Sequence, residues 1–415
     1  MPKRSLHCWW GDARVAEITA RRPWELHARY TDEALDRWAT NTPLFSCSLP
    51  VQRRAQNATP FLRGLLPEGS HLQALAHLAG LATNDLYGLL ARYGRDVAGA
   101  LVITTSDDPP EPGGWSVEPY TDESLAAEIM GLDNDALGVH ADSELSIAGL
   151  QNKILLVELD GGKWGRPVRG RPSTHILKVD DAGHPGLIGV EAQCLRLAEQ
   201  VGLSRLAPRT TIIAGYPCLI VCRYDRELVG GSVQRIHQED ACQALGIDPQ
   251  GARGRAKYES SGGPSYRRIA SLLVAHARDE EAELTALTRA MTFTFLIGNA
   301  DAHGKNLSLL HDEIGHISLA PLYDTVPTVL WPNLRATSAM SVNSIVAFDR
   351  ITLDDLAIEA SSWGLDYERA LTAAGELAAE VGDLVPAIID HHELATRVLG
   401  QVNRLLRDRG VPVRS

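Results

Sequence analysis

The spacing of apolar and polar residues changes character along the chain. "HLQALAHLAGLATNDLYGLLARYGRDVAGALVI" (71–103) carries apolar residues at helical intervals, followed by a short apolar strand candidate. With the short strand-like pieces that precede it, residues 1–105 read as a small α+β unit. "TSDDPPEPGGWSVEPYTDES" (105–124) mixes Pro, Gly and acids without a period, as an exposed connection does. We therefore expect a linker with a short helix over 106–143. Strand patterns then take over. "KILLVEL" (153–159), "THILKV" (174–179), "RTTIIAG" (209–215) and "PCLIVCRYD" (217–225) are β-rich runs between Gly, Pro or charged turns. One helix interrupts them at "GVEAQCLRLAEQVGLS" (189–204), where Val190, Cys194, Leu195, Leu197, Ala198 and Val201 suit one helical segment.

From about 237 the pattern is mostly helical, through "YRRIASLLVAHA", "EAELTALTRAMTFTFLIG" and the long run that starts at "LDYERALTAAGELAAEVGDL". The expected fold class is therefore α+β and two-lobed. A β-rich N-terminal lobe over 144–236 follows the extra N-terminal subdomain, and an all-helical C-terminal lobe fills 237–415. Polar clusters near the lobe junction predict a cleft there, where ligand sites favour such junctions.

Composition narrows the function. With 40 Lys plus Arg against 52 Asp plus Glu, the formal charge is -12, which disfavours close approach to phosphate backbones or anionic membranes. The local run "KWGRPVRGR" (163–171) is basic but fits a solvated loop. The 6 cysteines include no CxxC pair, so a reduced, cytoplasmic compartment is the simpler expectation. "MPKRSLHCWWGD" lacks an apolar core of signal-peptide length, and no apolar run approaches the roughly 18 residues of a membrane span. The protein is expected to be soluble, with no membrane partner.

Candidate chemistry concentrates in "NADAHGKN" (299–306), directly after the apolar run "MTFTFLI" and Gly298. Asp301 and Asn306 stand at the D-x-x-x-x-N interval of kinase catalytic loops, where the Asp takes the substrate hydroxyl's proton and the Asn holds magnesium. Alone, the interval also fits an ordinary helix-ending turn. Asp324 in "APLYDT" supplies a second hard-oxygen ligand downstream, in kinase order. Lys178, inside an apolar strand, needs an anionic partner and would reach phosphates, with Glu191 at the following helix to hold it. "SIAGLQNK" (146–153) precedes the first strand of this region, and Ser146, Gly149, Gln151 and Lys153 could form a phosphate-facing loop. It is not a GxGxxG sequence and also fits an ordinary approach to a strand. His303, with Asp301, His311 and His316, admits a transition-metal reading, which the neighbouring Lys305 and Asn306 disfavour. Asn299 has no assigned role.

In order and separation, "LSIAGLQNKILL", "THILK", "HQEDACQALG", "KYESSGGP", "IGNADAHGKNLSLL" and "LAPLYDT" resemble the HipA family of serine/threonine kinase toxins. "LLPEG" (65–69) and "ARYGRDVAGAL" (91–101) resemble that family's N-terminal subdomain. The resemblance spans nearly the whole chain and implies a protein-kinase-like fold, with ATP and Mg2+ as cofactors. It makes Asp301 the catalytic base, puts Asn306 and Asp324 on magnesium, and brings Lys178 to the ATP phosphates. Ala148, Gly149, Leu150, Gln151, Asn152 and Lys153 would line the nucleotide, with His303, Lys305 and Tyr323 beside it. Backbone groups of Cys222 and Tyr224, in "VCRYD" (221–225), would meet the adenine, and Cys222 stands where a glutamate is expected. Glu191 falls at the lysine-orienting position and Ser146 at the autophosphorylated one.

The resemblance further implies a protein substrate such as an aminoacyl-tRNA synthetase, the glutamyl enzyme being the best known, with translation arrest and dormancy as the outcome. A HipB-type helix-turn-helix antitoxin would hold the protein inactive and carry DNA binding. The alternatives are a small-molecule phosphotransferase and a nucleotide-binding corepressor without kinase activity.

Overall fold

The computed structural model describes residues 5–110, 116–132, 153–180 and 183–407. The expected nucleotide-loop residues Ala148, Gly149, Leu150, Gln151 and Asn152, and Ser146, lie outside the described residues. In chain order the first strands and helices are β1 (Ser5–Trp10), β2 (Ala13–Arg22), β3 (Glu25–Tyr30), α1 (Asp32–Arg37), β4 (Gln56–Asn57), α2 (Thr59–Gly64), α3 (Gly69–Leu78), α4 (Leu86–Tyr93) and β5 (Leu101–Thr104). There follow β6 (Ser116–Pro119), α5 (Asp122–Gly131), β7 (Lys153–Leu159), β8 (Lys163–Val168), β9 (His175–Val179), α6 (Leu187–Gln200), β10 (Arg209–Ile213) and β11 (Tyr216–Cys222). The hairpin β12 (Arg226–Val229) and β13 (Ser232–Arg235) leads to β14 (His237–Asp240), α7 (Ala241–Ala244) and α8 (Gly251–Gly254). Last come α9 (Tyr266–His276), α10 (Glu280–Ile297), β15 (Ser308–His311), β16 (Ile317–Leu319), α11 (Leu353–Ser361), α12 (Tyr367–Ile388) and α13 (His392–Arg407).

The chain forms two compact units that interleave along the sequence: 1–183 with 210–249 and 310–315, and 184–209 with 250–309 and 316–415. The first unit holds two large sheets beside the β12–β13 hairpin. One has the order β4-β3-β2-β1-β5, and its apolar face, through Leu6, Ile18 and Leu26, packs with Phe61, Leu75 and Leu89 of the helices. The other has the order β10-β11-β9-β7-β8-β6. Alternate residues Ile154, Leu156, Leu177, Val179, Cys218 and Ile220 share one face and bury Leu125 and Ile129 of α5, as a period of two requires. The segment read as an exposed connection therefore contributes an edge strand, β6, paired with β8. Its residues are half-buried or exposed and end in Pro119, which suits an edge and hides the strand period.

These two sheets are tied by a buried charge network. Asp96, fully buried, accepts from Ser173 N at 3.0 Å, Ser173 Oγ at 2.8 Å, Arg226 Nη2 at 2.9 Å and Arg235 Nη1 at 3.0 Å. Asp225 takes two bonds from Arg223, Nε at 2.9 Å and Nη2 at 2.7 Å, and one from the Gly99 N–H at 2.8 Å. Burial alone would raise both carboxyls, but the surrounding guanidiniums outweigh it and hold both below the usual range.

The second unit is helical apart from short strands. Helix α6 lies between strands in the sequence yet packs against α12, because its apolar stripe has a helical partner there. Helix α10 starts with Asp279 accepting the Ala282 N–H at 3.0 Å and a first turn rich in glutamate. Its last turns, Ala290 to Ile297, are buried on every side. Thr288, Thr292 and Thr294 lie inside because each hydroxyl bonds the carbonyl four residues back, at 2.8, 2.8 and 2.9 Å. Gly298, at φ 78°, closes the helix in the left-handed conformation that glycine adopts without strain. Among the described residues no helix is long and apolar enough to cross a membrane.

Candidate functional site

Immediately after that cap, the chain turns through residues 299–306. Asn299, which sequence reasoning left without a role, organises the turn. Its Oδ1 accepts the Asp301 N–H at 3.1 Å, and its Nδ2 donates to the Asp324 carbonyl at 3.1 Å. One side chain thus fastens the loop that carries Asp301 to the segment that carries Asp324. The far end of the loop is held in the same way. The Tyr323 hydroxyl donates to the Lys305 carbonyl at 2.6 Å and lies 2.6 Å from Ser308 Oγ. Asp301, His303, Lys305, Asn306, Tyr323 and Asp324 are therefore brought together within the second unit.

Inside the loop, Asn306 Nδ2 donates to the Asp301 carbonyl at 3.0 Å, which leaves Oδ1 as the free acceptor of that amide. Asp324 sits at φ 50°, a left-handed conformation that Asp tolerates better than most residues. The Asp301 side chain is 42% exposed, and Tyr258 donates its hydroxyl to Oδ1 at 2.8 Å. Partial burial raises the Asp301 pKa, the Asp324 carboxylate adds to that rise, and Tyr258, Lys257 and Arg335 oppose it. His303 is buried, and desolvation with the charges of Lys257 and Lys305 lowers its pKa to about 3. It is neutral, accepts the Lys305 N–H on Nδ1 at 3.3 Å, and stands edge-on to Tyr258 with ring centres 5.1 Å apart.

Tyr258, Lys257 and Arg335 had no role assigned from sequence. The motif "KYESSGGP" is visible, but a tyrosine in a Gly/Ser-rich loop has no period that would aim it at Asp301. The Arg335 guanidinium lies 5.0 Å from the Tyr258 ring centre, and Gly304 donates its N–H to the Lys257 carbonyl at 3.0 Å. The loop is thus backed by the 256–264 segment.

In the first unit, Lys153 of β7 and Lys178 of β9 are direct antiparallel partners. They share the sheet face opposite the α5 core and are 6% and 7% exposed. Cys222 ends β11 with Sγ 3.2 Å from His175 Nε2, and the Tyr224 hydroxyl donates to Gln238 Oε1 at 2.6 Å. Glu191 is fully buried on α6, in the second unit. His311 belongs to the first unit and His303 to the second, so the histidine metal set weighed from sequence does not form within either unit.

The family comparisons follow this layout. The HipA N-terminal domain model matches residues 6–104, and the HipA-like C-terminal domain model matches residues 145–385. The chain belongs to the HipA family. One relative is the putative kinase Y4mE of Sinorhizobium fredii, 37% identical over 98% of this chain and 95% of its own. The serine/threonine-protein kinase toxin HipA of Shewanella oneidensis is 27% identical over 79% of this chain and 76% of its own. Among solved structures, the HipA, HipB and operator DNA complex of Shewanella oneidensis matches with a TM-score of 0.80 at 24% identity. The match covers 98% of this chain and 100% of that one, and it shows a shared HipA fold.

Proposed function

We propose that this HipA family kinase transfers the γ-phosphate of ATP to a serine or threonine hydroxyl of a protein, with Mg2+, and acts as a toxin. The observation that carries the reading is Asp301 poised beside Asn306 and Asp324 on two cross-tied segments. Tyr258 occupies Oδ1, so Oδ2 is the atom that would take the hydroxyl proton. Neutral His303 offers no competing ammonium-like charge at that carboxylate.

The donor set fits magnesium. Asn306 Oδ1 and the Asp324 carboxylate are hard oxygens, and the mutual repulsion of Asp301 and Asp324 is what a divalent cation relieves. When bound, the ion supplies charge neutralisation on the phosphates. Lys153 and Lys178 fit the phosphates by their shared buried face. Main-chain groups of Cys222 and Tyr224 would meet the adenine, a contact that tolerates Cys222 in place of glutamate.

The protein substrate on this reading is an aminoacyl-tRNA synthetase such as the glutamyl enzyme, with arrested translation as the consequence. The Shewanella complex contains HipB and operator DNA, which supports a HipB-type antitoxin that binds DNA for the pair. All 6 cysteines are free, in keeping with a cytoplasmic site of action. Ser146 is the proposed autophosphorylation site, since a phosphate of about -1.5 to -2 charge in a phosphate-facing loop would expel the loop. Equal rates of activity loss for the parent and Ser146→Ala during incubation with ATP would remove that element.

Labelled ATP, purified protein and cell extract test the whole. Label in one protein band is expected, reduced about 100-fold or more in Asp301→Asn. Label in a metabolite would point instead to a small-molecule phosphotransferase. No label above the Asp301→Asn control would overturn the proposal.

A further inference from the structure

A second cluster of chemically capable side chains lies in the first unit, apart from the residues above. Cys47 Sγ, a Glu239 carboxylate oxygen and a His311 ring nitrogen all lie within 4.8 Å of one another. The His311 and Glu239 side chains are completely buried, whereas Cys47 is half-buried.

Hydrogen-bond bookkeeping leaves this cluster short of one cation. His311 Nδ1 lies 2.9 Å from the Pro43 carbonyl, which only accepts, so Nδ1 carries the hydrogen. The other nitrogen, Nε2, faces Glu239 Oε1 at 2.9 Å, an atom that also receives the Cys47 N–H at 2.8 Å. Glu239 Oε2 is buried and has no hydrogen-bond partner among the described residues. A ring nitrogen lone pair and a carboxylate therefore converge with a thiol beside them, and either a proton or a metal ion must stand between. The neighbouring His237 does not compete. Its Nε2 donates to the Phe45 carbonyl at 2.8 Å and its Nδ1 accepts the Ala100 N–H at 3.3 Å.

We propose that Cys47, Glu239 and His311 bind one Zn2+ ion, with water as the fourth ligand on the Cys47 side. A set of sulfur, nitrogen and oxygen donors suits zinc better than magnesium or calcium. A histidine whose Nδ1–H is fixed by a backbone carbonyl is already oriented to ligate through Nε2. Metal–ligand bonds of about 2.0–2.3 Å put tetrahedral donors roughly 3.2–3.7 Å apart, so the 2.9 Å His311–Glu239 pair must open by a few tenths of an ångström and separations of up to 4.8 Å must close by about 1–1.6 Å. Cys47 comes from the stretch matched as the HipA N-terminal domain, and Glu239 and His311 from the stretch matched as the C-terminal domain. The ion would staple the two within one compact unit.

Full-length protein stripped with chelator is titrated with Zn2+ against a chromophoric indicator, and in parallel with Co2+ by absorbance. One Zn2+ per chain is expected, with a thiolate-to-Co2+ charge-transfer band in the near ultraviolet. Cys47→Ser, Glu239→Gln and His311→Gln should each weaken Zn2+ binding by about 10-fold or more, and Cys47→Ser should lose the band. At one Zn2+ concentration, the melting temperature of the parent should rise more than that of Cys47→Ser. Substoichiometric Zn2+ in the parent, undiminished binding in a Cys47→Ser, His311→Gln double variant, or a Co2+ spectrum without the thiolate band would overturn the site and leave a proton-bridged pair. The parent's Co2+ spectrum decides the matter even if a variant fails to fold.

Discussion

Replacing Asp96 by asparagine keeps the shape of a fully buried side chain and removes its charge. Arg223, Arg226 and Arg235, whose side chains are 2%, 2% and 9% exposed, would then face Asp225 alone. An uncompensated guanidinium cannot rotate into water from these positions, and breaking a buried pair by removing one partner costs about 3–5 kcal/mol. For a cooperative unit of roughly 230 residues, each kcal/mol is worth about 2–4 °C, so the melting temperature should fall by about 6–20 °C. Thermal and urea unfolding followed by circular dichroism measure this. The pH dependence supplies a sign check. Asp96 is held below its ordinary pKa, so its contribution is complete above about pH 4–5 and is lost as pH falls through the folded-state value. The gap between parent and variant should therefore be full at neutral pH and close in acid. Glu281→Gln serves as the comparison: its 3.0 Å pair with Arg369 has both side chains more than half exposed and should cost under about 1 kcal/mol. A drop in melting temperature of less than about 2 °C for Asp96→Asn, or a gap that persists unchanged at low pH, would refute the reasoning.

Two further predictions concern the 299–306 loop. Tyr258→Phe removes a donor that favours the ionised form of Asp301, so the Asp301 pKa should rise further. The acid limb of the kcat/KM profile should move to higher pH, with a smaller loss at pH 8 than at pH 6; an unmoved limb would mean that Asp301 is not the titrating base. Gly304→Ala would place a Cβ 2.2 Å from Pro264 Cγ, in a ring that cannot swing aside, so the loop must shift. Phosphate transfer should fall by about 10-fold or more while stability falls only about 1–3 kcal/mol, and full activity with normal stability would show the loop position to be unimportant.

What was legible in the sequence follows from how far apart the interacting residues stand. Helix α10 and its glycine cap were readable because cap, periodicity and stop signal all lie within about twenty residues. The Asp301 to Asn306 interval was readable for the same reason, since one loop supplies both. Four strands of the second sheet, β7, β9, β10 and β11, were readable from apolar runs, but β6 was hidden in an apparent connection, β8 in the basic run 163–171 taken for a solvated loop, and register was not readable. Only the pairing of β7 with β9 puts Lys153 directly opposite Lys178 on one buried face. Cross-chain convergence left no trace at all. Asn299 bridges to a carbonyl 25 residues on, Tyr258 reaches Asp301 across 43 residues, and Glu239 meets Cys47 across 192. A pattern window cannot detect such meetings, because the side chains involved obey no period and are recruited only once the core has set the backbone. In this chain the candidate base Asp301 and its neighbour Asn306 are local and readable, whereas the residues that position and charge them are distant and become visible only in the fold.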